Sequence, residues 1–335
     1  MKSIKIWWQA IRFHFTFPTF LPVLSGTAYA LIETGQWNGF YFIASLIATV
    51  CHHIGLNLAD DYYDYCHGTD VFQQTGKNAY AGGSGVLVSG SLTKSSIYNA
   101  AMLCYFITAI IGLVLVYFHG WVILALGILG TFSSFYYTAP PLRFAYRGLG
   151  ELAIWINFGP VLVLGSYYLQ THTISLGAIL LSILMGTLIF CVIMANEIPD
   201  QKTDEASGKR TLIVRFGKNF GLVGTALGII SIFTVLITAV AIKLWPIILL
   251  ITIFAIPIGY RGIKTLAKTM HTNKIEGNEF IVGFSNILGI LLVCAFGIIL
   301  LSTAHYIPAF AILGTLALLY MLIILATPKH IPVNS

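Results

Sequence analysis

Residues 174–204 read ISLGAILLSILMGTLIFCVIMANEIPDQKTD, an apolar run that ends in an acidic cluster. A helix that crosses a bilayer needs roughly 20 apolar residues, and the run before Asn196 has about this length. The pattern also occurs earlier in the chain, where residues 39–56 are followed by Asn57-Leu-Ala-Asp-Asp-Tyr-Tyr-Asp64. In both clusters an Asn is followed, four positions later, by an Asp. We therefore expect two membrane-spanning helices that each carry an acidic cluster at one end.

The composition extends this prediction to the whole chain. Of the 335 residues, 57% are hydrophobic and 9% are charged, whereas a soluble domain has about 25% charged residues. We expect an all-α fold, a polytopic membrane helical bundle around a central cavity. The first apolar run resembles a span and lacks a small-residue cleavage site, so no cleavable signal peptide is expected. Ten segments are candidate spans: 14–32, 39–59, 97–118, 119–138, 151–169, 174–195, 220–242, 244–260, 281–303 and 307–326.

The distribution of charge predicts the orientation. If the N-terminus is inside and the ten spans alternate, every basic residue except Lys243 and every acidic residue except Glu33 lies on the inner side. Basic residues favour the cytoplasmic side, so we expect the N-terminus and the long polar loops to be cytoplasmic, in a cell or inner membrane. Orientation then explains the net charge of +6, and no nucleic-acid partner is expected.

The two halves of the chain share a pattern. Spans two and six both end in an acidic cluster, and they run in the same direction because they are four spans apart. This indicates two pseudo-repeats of a four-helix unit, with both clusters facing one cavity. Residues 1–335 are expected to form one integral-membrane domain whose motifs lie in the loops 57–96, 137–151 and 196–219. A divalent-cation or phosphate transporter is also compatible with acidic residues at a membrane and repeated halves.

Cysteine and histidine residues predict no metal centre of their own. The five cysteines form no CxxC pair, so no disulfide or structural zinc site is expected. His52 and His53 are adjacent, and adjacent residues do not share one helix face. We therefore interpret these two residues and His67 as interfacial or packing histidines.

The first acidic cluster has the spacing of a metal-binding helix face. If the helix continues through it, Asn57, Asp61 and Asp64 lie at i, i+4 and i+7 on one face. Asp60 then points elsewhere. Crowded carboxylates repel one another unless a cation joins them. Oxygen ligands of this kind suit Mg²⁺, which prefers one or two carboxylates together with phosphate oxygens, and no calcium-binding loop pattern is present.

The second cluster could form a matching face. Asn196, Asp200 and Asp204 follow an i, i+4, i+8 pattern, but Pro199 is expected to kink or end the helix. Eight of the 12 acidic residues of the chain lie in or directly beside the two clusters. This concentration favours a shared metal site over separate helix caps.

Basic residues of the inner loops could neutralise a diphosphate. Those in the first three polar loops are Lys77, Lys94, Arg143, Arg147, Lys209 and Arg210. The glycine-rich string Gly82-Gly-Ser-Gly85 is compatible with a phosphate loop or with a flexible connection. No Walker A motif is present, so ATP hydrolysis is not expected.

Three stretches of the chain resemble the UbiA superfamily of intramembrane prenyltransferases. They are residues 57–64 with Gly68-Thr-Asp70, Tyr137-Thr-Ala-Pro-Pro-Leu-Arg143 continued to Glu151, and residues 196–204 continued to 217. Weaker support comes from residues 12–22, and the resemblance extends from residue 7 to about 217. The fold of the superfamily implies nine transmembrane helices, so the expected number is nine to ten.

The resemblance implies Mg²⁺-dependent transfer of a polyprenyl group from an allylic diphosphate to an aromatic acceptor, with the isoprenoid tail between helices and open to the lipid bilayer. The implied metal ligands are Asn57, Asp61, Asp64, Asp200 and Asp204. The implied diphosphate-binding residues are Lys77, Lys94, Arg143, Lys209 and Arg210. Tyr137 and Arg143 are the expected catalytic residues, Tyr137 by shielding the allylic cation. Arg12, Asn57 and Asn196 are expected in the acceptor pocket.

Residues 147–151 and 158–170 resemble one branch of the superfamily, the 1,4-dihydroxy-2-naphthoate polyprenyltransferases of menaquinone synthesis. The expected acceptor is therefore 1,4-dihydroxy-2-naphthoate. That branch often has Asn at the positions of Asp60 and Glu197, and Arg at that of Pro199. These departures leave other reactions open, with 4-hydroxybenzoate or another natural-product aromatic as acceptor, or terpene cyclisation without an acceptor.

Overall fold

The structure, a computed structural model, describes residues 2–69, 83–271 and 276–326. All regular elements in these three ranges are helical, which confirms the all-α expectation. In chain order the helices are α1 Lys2–Ala10, α2 Phe17–Thr34, α3 Gly39–His67, α4 Lys94–His119, α5 Trp121–Phe135, α6 Gly150–Thr171, α7 Leu176–Ala206, α8 Leu212–Phe216, α9 Lys218–Ala241, α10 Ile247–Thr269, α11 Glu276–Ser302 and α12 Tyr306–Ala326.

Seven of the described helices are long and apolar enough to cross a membrane, namely α3, α4, α6, α7, α9, α10 and α11. The candidates at 14–32, 119–138 and 307–326 also form helices, but they are not among the seven. Helix α5 has only 15 residues, and the apolar part of α12 covers Tyr306–Leu322. The expected number of nine to ten spans is therefore not confirmed.

The two helices that carry the acidic clusters begin at side-chain caps. The Asn38 side chain accepts hydrogen bonds from two backbone N–H groups in the first turn of α3. The Ser175 side chain accepts one from Ala178 N at the start of α7. Such caps satisfy N–H groups that have no partner within the helix. Helix α3 ends at Gly68, whose φ of 81° closes the helix in the left-handed conformation that glycine allows.

Helices α6 and α7 approach each other closely at small residues. A β-carbon on Gly159 would clash with the carbonyl oxygen of Ser182, and one on Gly186 would lie 2.7 Å from the carbonyl oxygen of Trp155. Small residues of this kind allow membrane helices to pack backbone to backbone. The close approach places Glu151, in the first turn of α6, beside the acidic end of α7.

The most extensive contacts between helices join each acidic helix to a later helix, α3 to α4 and α7 to α9. This arrangement is compatible with the predicted pseudo-repeats, which remain a prediction. A buried apolar core joins α2, α7, α9, α10 and α11. The outer surface is apolar as well, with Ile307 80% and Phe254 77% exposed, as a helix surface in contact with lipid requires.

Candidate active site

Helix α3 continues through the first acidic cluster, as predicted. Asp61 and Asp64 are 2% and 5% exposed. Asn57, one turn before Asp61, donates from Nδ2 to the carbonyl oxygen of Ile11 at 3.1 Å. The Asn57 side chain thus holds the N-terminal segment against α3.

Arg12 lies at the first acidic cluster. Its Nη2 donates to the carbonyl oxygen of Asn57 at 3.0 Å and to Asp60 Oδ2 at 3.2 Å, and it lies 3.3 Å from Asp61 Oδ1. Asp60 occupies a neighbouring helix face, yet one guanidinium reaches both carboxylates. The backbone of Arg12 is left-handed, with a φ of 47°, a conformation that a non-glycine residue adopts only where contacts compensate.

The segment that begins at residue 83 contacts Asp61. The backbone N–H of Ser84 donates to both carboxylate oxygens of Asp61 at 3.2 Å. Gln9 of α1 donates from Nε2 to the carbonyl oxygen of Ser84 at 2.8 Å. Part of the glycine-rich string therefore contacts the acidic cluster through a backbone N–H group. A phosphate loop also binds through backbone N–H groups, but the acceptor here is a carboxylate. Gly82 lies outside the described residues.

The expectation that the second acidic helix could end at Pro199 needs correction, because α7 runs unbroken to Ala206. A proline removes one backbone hydrogen bond and crowds the carbonyl four residues earlier, but packing by neighbouring helices can compensate for this. Asn196, Asp200 and Asp204 thus share one helix. Asp204 is 5% exposed, and Oδ1 of Asn196 is buried without a hydrogen-bond partner.

Lys209 joins the two clusters. Its Nζ lies 2.6 Å from Asp64 Oδ2, and its backbone N–H donates to the carbonyl oxygen of Asp204 at 2.9 Å. Burial of the ammonium group opposes its charge, but the carboxylates of Asp64, Asp60 and Asp204 together raise the pKa of Lys209 well above its usual value. The loop after α7 therefore contributes a charged cation to the first cluster.

Tyr146 is the second partner of Asp64. Its hydroxyl donates to Asp64 Oδ1 at 3.0 Å and lies 2.7 Å from Thr69 Oγ1. Arg143 and Lys209 each hold their charged group 5.7 Å from the centre of the Tyr146 ring. Burial, followed by the Asp64 carboxylate, raises the pKa of the Tyr146 hydroxyl, which therefore stays a hydrogen-bond donor.

Two further carboxyl groups are buried beside the second cluster. Glu151 and Glu197 are 1% and 6% exposed, and their carboxyl groups lie close enough to interact. Glu151 Oε1 accepts from the backbone N–H of Leu212 at 2.5 Å, whereas no group in the described chain donates to Oε2 of either residue. The pair ties α6 and α7 to the segment that carries Lys209.

An apolar cavity of about 450 Å³ begins next to the first cluster. It reaches Leu56, directly before Asn57, and Tyr137, whose ring packs against Gly150. Lining residues Leu113 and Ile128 are 62% and 59% exposed on the outside of the bundle, so the cavity reaches the lipid-facing surface. Its lining residues come from positions 19–169, the N-terminal half of the chain.

Two further predicted residues, Lys94 and Arg210, lie on the surface. Lys94 is exposed at the start of α4, with its Nζ 5.0 Å from the ring of Tyr65. Arg210 is exposed as well, and among the described side chains neither residue forms an ion pair with an acidic group. Lys77 lies outside the described residues.

Some residues of the site were not predicted. Tyr146 and Glu151 lie inside the second motif, so their position in the motif was the available signal. The backbone N–H of Ser84 has no side-chain signature, because any residue could supply it. His52 and His53 line the cavity, which their adjacency in the sequence had argued against.

Comparison with known proteins identifies relatives. A model of the UbiA prenyltransferase family matches residues 19–269. The chain is 30% identical to a 1,4-dihydroxy-2-naphthoate octaprenyltransferase of Bacillus subtilis, over 64% of this chain and 66% of that protein. It is 32% identical to the protein of the same name from Mycobacterium tuberculosis, over 65% and 72%. It is 28% identical to a 2-carboxy-1,4-naphthoquinone phytyltransferase of Synechocystis, over 71% and 74%. The chain thus spans about two thirds to three quarters of these relatives.

Solved structures share the fold. A UbiA homolog from Archaeoglobus fulgidus bound to GPP and Mg²⁺ superposes with a TM-score of 0.60 at 12% identity, covering 88% of this chain and 99% of that chain. A digeranylgeranylglyceryl phosphate synthase superposes with a TM-score of 0.59 at 15% identity, covering 88% and 98%. At these identities the likeness establishes the helical fold.

Proposed function

The chain belongs to the UbiA prenyltransferase family and is an integral-membrane prenyltransferase, and from this premise we propose that it transfers a polyprenyl group from an allylic diphosphate to an aromatic acceptor with the help of Mg²⁺. The proposed acceptor is 1,4-dihydroxy-2-naphthoate, in menaquinone biosynthesis, since relatives of about 30% identity carry that name. The observation that carries the proposal is the Lys209–Asp64 contact, which joins both acidic helices beside an apolar cavity.

The donor set suits Mg²⁺. Asp61 and Asp64 are buried on one side of α3, and the orphaned Oδ1 of Asn196 lies on α7. Within the described residues no three His, Cys, Asp or Glu side chains are close enough to form a metal centre alone. Mg²⁺ usually binds through one or two carboxylates and takes its further ligands from substrate phosphates and water. When bound, Mg²⁺ supplies charge neutralisation at the leaving diphosphate. The residues that would hold it are Asn57, Asp61, Asp64, Asp200 and Asp204.

Basic side chains would bind the diphosphate and stabilise it as it leaves. Of the proposed set, Lys209 contacts Asp64 directly, and Arg143 lies beside Tyr146, which donates to Asp64. The full proposed set is Lys77, Lys94, Arg143, Lys209 and Arg210. Lys94 and Arg210 are exposed, and we assign them to the approach of the anion to the site.

The cavity would hold the isoprenoid tail. As the C–O bond to the diphosphate breaks, the ring of Tyr137 at the cavity wall would shield the allylic cation. A ring carbon of the acceptor then bonds to the allylic carbon, and a dihydroxynaphthoate loses its carboxylate as carbon dioxide. Arg12, Asn57 and Asn196 are the residues proposed for the acceptor pocket.

Orientation and domain organisation are part of the same proposal. Residues 1–335 would form one domain in the inner membrane, with the N-terminus and the acidic clusters at the cytoplasmic face. The partners are then a polyprenyl diphosphate, an aromatic acceptor and the bilayer, with no nucleic acid.

Glu197 is buried beside Glu151, whereas the naphthoate branch often has Asn at the position of Glu197. This difference is a reason to test other acceptors as well. Purified chain in lipid nanodiscs would be given prenyl diphosphate, Mg²⁺ and a panel of naphthoates, hydroxybenzoates and no acceptor, with products read by mass spectrometry. We expect diphosphate release with a prenylated naphthoate as product. Release with another acceptor alone would replace the naphthoate, and no release under any condition would overturn the proposal.

A further inference from the structure

Two histidines reach the apolar cavity from successive positions of α3. His52 and His53 both line it, although they do not share one helix face, because the cavity wraps around this part of the helix. Both side chains are partly exposed, and the residues around them are otherwise mainly apolar. A polar pair inside a membrane-embedded cavity is costly unless it meets a polar partner.

Each ring uses one nitrogen within the protein. His52 Nε2 lies 2.7 Å from Ser134 Oγ, and His53 Nδ1 is hydrogen-bonded to Thr19 Oγ1. No other residue in the described ranges bonds to Nδ1 of His52 or Nε2 of His53. A neutral imidazole carries one donor and one acceptor, so each ring keeps one hydrogen-bonding atom for a ligand.

The chemistry of the substrates decides which of them can use these atoms. An isoprenoid tail is a hydrocarbon, and packing it against an unpaired polar atom is unfavourable because the atom loses its hydrogen bond to water. The diphosphate is drawn to Lys209 and Arg143 by charge instead. An aromatic acceptor carries hydroxyl, carbonyl or carboxylate groups that pair with an imidazole nitrogen.

We propose that His52 and His53 bind the oxygen substituents of the aromatic acceptor. The inference rests on the proposed function and adds a polar subsite to it. On a helix that rises 1.5 Å per residue, His53 lies about 6 Å along the axis from Asn57 and about 12 Å from Asp61. A ring system held there lies beside the first carbons of a tail whose diphosphate is at the acidic clusters. The substrate class is a phenolic or quinol aromatic.

Two substitutions separate ligand binding from packing. In His53→Asn the side-chain amide can keep the bond to Thr19, because it reaches the position of Nδ1, but nothing replaces Nε2. In His52→Gln the amide reaches the position of Nε2 and can keep the bond to Ser134, while Nδ1 is lost. The matched control is His172→Asn, an exposed residue with a φ of 56°, a conformation that Asn tolerates.

The full chain in nanodiscs is assayed for KM of each substrate, with the melting temperature measured alongside. We expect KM for the acceptor to rise about tenfold in His53→Asn and His52→Gln, with KM for prenyl diphosphate changed less than about twofold. The control should match the wild type. If the wild type is active and both variants keep its acceptor KM, this inference alone is overturned. The same holds if the variants change the KM for prenyl diphosphate instead. A wild type that turns over no acceptor overturns the proposed function, and the inference with it.

Discussion

The hydroxyl of Tyr146 offers a direct test of the site at the acidic clusters. Tyr146→Phe removes the 3.0 Å hydrogen bond to Asp64 and the 2.7 Å contact with Thr69, and it keeps the ring that Arg143 and Lys209 both approach. A hydrogen bond to a charged group contributes about 1.5–3 kcal/mol. If that bond holds Asp64 in place for the reaction, kcat/KM for prenyl diphosphate falls by about 10- to 150-fold.

The assay is diphosphate release by the full chain in nanodiscs, at a series of Mg²⁺ concentrations. We expect the concentration of Mg²⁺ that gives half the maximal rate to rise together with the loss of kcat/KM, because Asp64 is a proposed metal ligand. Tyr136→Phe is the matched control, since the Tyr136 ring packs on Phe132 and Phe135. The reasoning is refuted if Tyr146→Phe keeps both its kcat/KM and its Mg²⁺ dependence at wild-type values while the protein remains folded.

Two further predictions concern the other carboxylates. Asp61→Ala or Asp200→Ala is expected to abolish turnover while the protein still inserts into the membrane; near-normal diphosphate release in either variant would remove that residue from the proposed metal site. Glu151→Leu should lower the melting temperature, because it leaves Leu212 N–H and the Glu197 carboxyl without a partner, at about 1–3 kcal/mol each. Glu151→Gln keeps a carbonyl acceptor for Leu212 and should lose less, and equal melting temperatures of the two variants would contradict this account.

Periodicity and charge predicted the helices and the faces of the acidic clusters. Asn57, Asp61 and Asp64 were placed on one face because helical spacing is a local property of the backbone. A helix end at Pro199 was the wrong alternative, because α7 continues to Ala206. Local propensity gives way where tertiary contacts replace the lost hydrogen bond.

The contacts between distant segments were beyond sequence reasoning. The meeting of Lys209 with Asp64, and of Glu151 with Glu197, depends on how α3, α6 and α7 pack, and a single sequence carries no signal for such pairs. The two histidines also show what a single sequence cannot predict. Helix geometry correctly separates His52 from His53 by about 100°, but only the shape of the cavity shows that both directions lead into one space.

Leu113 and Ile128 are exposed at the cavity wall, so the cavity is open to the lipid. The relevant concentration of a lipid-soluble substrate is then its amount per lipid, not per volume of buffer. In the proposed reaction, a long prenyl chain would enter from the plane of the membrane, so its encounter rate would depend on its number per lipid molecule. Diluting the reaction with extra lipid at a fixed total substrate concentration should then slow turnover, whereas adding buffer should not. Kinetic constants for the prenyl donor therefore belong on a mole-fraction scale.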